Sequence, residues 1–165
     1  MLTLTRPQDD ARLTELVGPR SALVRELTAA YWQEIETTIN YVASSTNRDG
    51  INGARIARAV RETITSGLKH AHLVAVRIRQ LHAPAPIPDD FVARQLSLPP
   101  PAERLDNLSL LTGLIEAETA AIERYRRIAA VASEARDWIT GKLTDRVIRE
   151  KKAHRQTLQS VLASI

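Results

Sequence analysis

Between residues 21 and 163 the apolar positions recur every three or four residues, in four long runs. That spacing is one face of an α-helix. The first run covers 21–45 with an inward stripe of Leu23, Leu27, Tyr31, Glu34, Thr38 and Tyr41. The second covers 53–81 with Ile56, Val60, Ile64, Gly67, His70 or Ala71, Val74 and Ile78. The third begins near 101–103, reaches about 132, and carries Leu111, Ile115, Glu118, Ile122, Tyr125 and Ile128. The fourth covers 135–163 with Val147, Lys151, His154, Leu158 and Val161 inward.

The breaks between runs set the connectivity. Thr46-Asn47-Arg48-Asp49-Gly50 reads as a short turn, with Asn52 as a cap for the second helix. Prolines crowd residues 83–101, in APAPIP and LPPP, which forbids a regular helix through most of that segment while leaving room for a turn or two over 89–96. A link of that length can cross a bundle from one end to the other. Short turn, long crossover, short turn predicts an all-α antiparallel four-helix bundle over 21–165. Residues 1–20 read as an N-terminal extension, with Asp9-Asp10 capping a short helix over 11–17.

Polar residues on these apolar stripes point to chemistry. Glu34, Tyr41 and His70 are echoed 84 residues later by Glu118, Tyr125 and His154, and Leu27 by Leu111. Each half is then a Glu-bearing helix followed by a His-bearing helix. Two such hairpins related by a pseudo-twofold aim two carboxylates and two imidazoles at one centre, the layout of a metal site inside a bundle. Glu34, His70, Glu118 and His154 are therefore the candidate metal ligands, and Tyr41 and Tyr125 are placed to hydrogen-bond the carboxylates. An unpaired buried carboxylate is costly, so Glu34 and Glu118 need a cationic partner of some kind.

Composition narrows the classes. The chain has no Cys, which excludes disulfides, Cys–zinc sites and thiol redox chemistry. No apolar run approaches the length of a membrane span and no secretory signal is evident, so no membrane partner and a cytoplasmic location are expected. The net charge of +4 arises from bases interleaved with acids, and nucleic acid is not an expected partner.

Three stretches resemble the bacterioferritins. E-I-E-T-T-I-N-Y (34–41) is similar to that family's E-x6-Y, L-K-H-A (68–71) to its M-K-H-A, and E-A-E-T-A-A-I-E-R-Y-R (116–126) to ferritin-like third helices. The resemblance covers about 20–163 and implies a ferritin-like fold with iron or other metal handling. Two departures bear on the site. In the family each His belongs to a Glu-x-x-His pair whose Glu bridges two irons, whereas here Gly67 stands three before His70 and Lys151 three before His154. Leu68 stands where the family has its haem methionine, so no haem is expected.

The resemblance therefore implies a degraded di-iron centre, with ferroxidase activity expected to be weak or absent. Two arrangements satisfy its charges. Either the Lys151 ammonium lies between the Glu residues and replaces metal, or Lys151 turns away and one divalent ion (Fe, Mn or Zn) binds Glu34, His70, Glu118 and His154. The competing expectation is a non-catalytic scaffold or adaptor, associated with a shell or compartment, that uses 1–20 or 83–101 to reach a protein partner. Self-association as a dimer or larger is expected in either case.

Overall fold

The computed structural model describes residues 19–46, 50–92 and 106–165. The proposed helix over 11–17 and most of the segment joining the two halves lie outside them. Four helices make up the described fold: α1 (Pro19–Thr46), α2 (Gly50–Gln80), α3 (Asn107–Glu134) and α4 (Trp138–Leu162), with a single 3-10 turn at Pro88–Asp90. α1 and α2 form one hairpin and α3 and α4 the other. α1 packs beside α3 and α2 beside α4, so α1–α4 and α2–α3 are the diagonals. Arg55 reaches Ser164 while Arg77 reaches Asp137, so α2 and α4 run antiparallel. Gln33 meets Arg124 and Tyr41 meets Glu118, so α1 and α3 do too. This is the expected antiparallel four-helix bundle.

The helix ends refine the sequence expectation. α2 begins at Gly50, so Asn52 lies within its first turn rather than capping it. α3 begins at Asn107, capped by the Asp106 carboxylate, which accepts from the Ser109 amide at 2.9 Å. α4 begins at Trp138, three residues later than the hydrophobic period suggests, because the Asp137 side chain accepts from the Thr140 amide. The α2 and α3 ends both close through a non-glycine residue of positive φ. His82 (62°) lets Ala83 N–H reach the Ile78 carbonyl, and Arg136 (53°) lets Asp137 N–H reach the Ala132 carbonyl. Both closures satisfy carbonyls that a helix end otherwise leaves unpaired.

The core is two apolar clusters with a polar layer between them. One holds Leu23, Leu27, Val74, Ile78, Ile128 and Val147 at the end where α3 turns into α4. The other holds Ile56, Val60, Leu110, Leu111, Leu114 and Leu158. The first end is locked by Arg77, whose Nε donates to Thr140 Oγ1 at 2.8 Å and whose second amino group pairs with Asp137 Oδ2 at 2.6 Å. Burial works against the Asp137 carboxylate, but Arg77 and the Thr140 amide and hydroxyl hold its pKa below the ordinary value. Asp137 thus caps α4 and ties it to α2 at once.

Truncating Arg77 leaves that carboxylate largely buried with only Thr140. Arg77→Ala is expected to lower unfolding free energy by about 3 kcal/mol, measured by urea denaturation at neutral pH.

Candidate functional site

Each helix contributes to the polar layer at the position its period dictates. α1 supplies Glu34 and Tyr41, α2 supplies Gly67 and His70, α3 supplies Glu118 and Tyr125, and α4 supplies Lys151 and His154. Glu34, His70, Glu118 and Lys151 are at most 2 % exposed. The fold brings the residues singled out by spacing into one layer.

Lys151 is the hub. Its Nζ donates to Glu34 Oε2 at 2.8 Å across the α1–α4 diagonal and lies 3.7 Å from Glu118 Oε1. The ammonium therefore sits between the two carboxylates. Burial disfavours a charged lysine, yet the fields of Glu34 and then Glu118 outweigh it and raise the Lys151 pKa. Glu118 shows the complementary balance. Burial raises its pKa, and Lys151, with His154 and Tyr41, brings it below the ordinary value.

Around this hub the 84-residue repeat becomes geometry. His70 Nδ1 lies 3.8 Å from Glu34 Oε1, and His154 Nδ1 lies 3.8 Å from Glu118 Oε2. Tyr41 donates to Glu118 Oε1 at 2.9 Å. Tyr125, its echo, has Glu34 as its main charged neighbour, and burial followed by that carboxylate raises its pKa well above the ordinary value. The Tyr125 hydroxyl, Glu34 Oε1, Glu118 Oε2 and the Nδ1 of both His residues are buried without a hydrogen-bond partner among the described residues. Each His–Glu pair thus faces itself across a gap slightly too wide for a hydrogen bond.

Glu150 orients one of those imidazoles. Its Oε2 lies 2.8 Å from His70 Nε2, and its carboxylate also accepts from Lys69 and Arg146. Burial opposes the charge, but His70, Arg146 and Lys69 bring its pKa to about 2. An ionised acceptor there places the His70 proton on Nε2 and leaves the Nδ1 lone pair facing Glu34. Burial keeps His70 neutral by lowering its pKa, against the pull of Glu34. The carboxylate–imidazole arrangement is the one that commonly steadies a metal-binding His. Even so, no three His, Asp or Glu side chains among the described residues are grouped to hold one ion.

Residues 24–165 match the Ferritin family, described as a ferritin-like domain. The chain belongs to the ferritin-like family. The structure is similar to the bacterioferritin-related dodecameric thioferritin of Bacteroides fragilis (22 % identity over 95 % of this chain and 94 % of that one, TM-score 0.78). It is also similar to the DPS protein of Vibrio cholerae O1 (22 %, 89 % and 95 %, 0.77). The Desulfovibrio desulfuricans bacterioferritin is a third (20 %, 88 % and 80 %, 0.72). Comparison with the curated proteins returned no match.

Two features of this ferritin-like site are not legible as motifs. Glu150 lies next to Lys151 on the helix surface, and only its approach to α2 gives it a role. Gly67 is packed so tightly that a Cβ would overlap Thr38 Oγ1 on α1, with Glu34 Oε2 also in van der Waals reach. The glycine thus sets how closely α1 and α2 approach beside the carboxylate. The only sequence signal for that contact is that Thr38 and Gly67 both lie on inward stripes.

The ionisations give a pH profile. His70 and Glu118 hold their protons less tightly folded than unfolded, so their contribution to stability is present above 6.5 and 4.5 and is lost as pH falls through those ranges. Lys151 holds its proton more tightly folded, so its contribution is complete below 10.5 and lost as pH rises beyond it. Urea midpoints are expected to be flat from about pH 7 to 10 and to fall on both sides. Lys151→Met removes the cation between two buried carboxylates and is expected to cost about 3–5 kcal/mol at pH 7. Part of that loss should return on mild acidification, as one carboxylate takes a proton.

Proposed function

We propose that this chain is an iron-handling ferritin-like subunit whose own centre does not oxidise iron, the Lys151 ammonium standing in for metal. Iron handling follows from membership of the family. The observation that carries the rest is the placement of Lys151 Nζ between Glu34 and Glu118. A pair of divalent ions needs about four carboxylates for charge balance, and the two positions that bridge in bacterioferritins hold Gly67 and the cationic Lys151. The donor set as it stands does not fit a metal pair. A single divalent ion on Glu34, His70, Glu118 and His154 requires the ammonium to leave both carboxylates.

We propose also that the subunit self-associates. Ile39, Val42 and Leu68 are about half exposed on α1 and α2, and the B. fragilis relative is a dodecamer. Burying such residues against another copy removes apolar surface from water. Light scattering coupled to size exclusion is expected to give a dimer or larger, and a monomer at micromolar concentration would refute this.

Elemental mass spectrometry after anaerobic Fe(II) loading tests the centre. Near-zero tightly bound iron per chain is expected. One iron per chain would instead support the four-ligand site, and two would overturn the reading of Gly67 and Lys151. A converse experiment restores the missing carboxylates with Gly67→Glu and Lys151→Glu, together with Thr38→Ala to make room for the new Cβ. The folded triple variant is expected to bind two irons and to acquire oxygen-dependent Fe(II) oxidation.

A further inference from the structure

The fold sorts charge in a way the linear sequence conceals. On α2 the exposed cations are Arg55, Arg58, Arg61, Lys69 and Arg79, against Glu62 as the exposed acid. On α4 they are Lys142, Arg146, Arg149 and Lys152, against Asp145. These helices are neighbours, joined by the Lys69–Glu150–Arg146 ion pairs, and at about 100° per residue Arg55, Arg58 and Lys69 of α2 and Lys142, Arg146 and Arg149 of α4 turn to the face they share, while Arg61 and Arg79 turn toward α1 and Lys152 toward α3. The opposite face, α1 with α3, is nearly balanced, with Arg20, Arg25, Arg126 and Arg127 set against Glu116, Glu123 and Glu134.

We propose that the α2/α4 face binds linear inorganic polyphosphate. Three properties of the face support this occupant. It is long, about 46 Å for the 31 residues of α2, so a chain of phosphates can follow it. It carries two rows of cations on helices whose axes lie about 8–10 Å apart, so a flexible polyanion can be held from both sides. Most of its exposed cations are arginine, whose planar fork grips phosphate oxygens in pairs. Arg58 and Arg149 form no ion pair with a described residue, so no protein carboxylate has to be displaced there. Single-stranded nucleic acid is the less suited polyanion, because Trp138 is the one exposed Trp, Tyr or Phe on the described part of this face and its ring already packs against the Lys142 ammonium, leaving bases little to stack on. The proposal does not depend on what the centre holds.

The test is fluorescence anisotropy of end-labelled polyphosphate with the full chain. Saturable binding is expected at about 50 mM salt, weakening at least tenfold by about 200 mM as counterion release predicts. Arg58→Glu and Arg149→Glu together are expected to weaken binding at least tenfold. The control Arg25→Glu and Arg127→Glu makes the same charge change on the other face and is expected to stay within about twofold of wild type, after allowing for screening. Circular dichroism checks that each variant is folded; if the reversed set is not, the Arg58→Gln and Arg149→Gln set should show a smaller loss in the same direction. Equal loss in both sets, no binding at low salt, or tighter binding of a DNA oligomer with the same number of phosphates would each overturn the proposal.

Discussion

Everything in the middle of this bundle depends on one buried contact, the Lys151 ammonium held between Glu34 and Glu118. Three charged groups removed from water cost several kcal/mol each unless their partners are close and well placed. Glu34 has its cation at 2.8 Å, and Glu118 adds the Tyr41 hydroxyl at 2.9 Å to the more distant ammonium. The same charges that make lysine tolerable make the carboxylates tolerable. No member can be removed alone without stranding the others, and the two apolar clusters are separated by a layer whose composition is tightly constrained.

The repeat shows what the two halves of this layer share and where they differ. Glu34 with His70, and Glu118 with His154, keep matching separations of 3.8 Å, as a pseudo-twofold requires. The equivalent positions Gly67 and Lys151 could hardly differ more, one having no side chain and the other a long cation. The lysine belongs to one half only, and its closer partner is the other half's carboxylate. Two carboxylates that the sequence pattern makes equivalent thus sit in unequal environments.

Much of this architecture can be read from residue spacing. Helical periodicity places all four helices, and polar residues on apolar stripes identify the layer, because a helix face that is otherwise core gives Glu, His or Lys no route to water. Capping is harder to read. Asp137 moves the start of α4 three residues past the point where the apolar period begins, and His82 and Arg136 take left-handed conformations where glycine would be the usual signal. Contacts between helices are harder still. The fit of Gly67 against Thr38 and the grip of Glu150 on His70 join residues 29 and 80 positions apart, and no local pattern encodes them. Charge behaves likewise. Acids and bases alternate along the chain, but α2 and α4 are the basic helices, and only their adjacency turns this into a property of one surface.

The crossing of the Lys151–Glu34 pair between α1 and α4 also bears on how the molecule opens. These helices belong to different hairpins and lie on a diagonal of the bundle. Were the core wholly apolar, the hairpins could part gradually, each increment exposing a little more hydrocarbon. A charge pair on the diagonal permits no such gradation, since any separation that breaks it without admitting water leaves ions unsolvated. The backbone amides around 34 and 151 should therefore exchange with solvent deuterium as one cooperative unit spanning both hairpins. The Pro88–Asp90 turn has no buried residues and meets α1 through the packing of Phe91 on Trp32, so its amides should exchange separately from that unit.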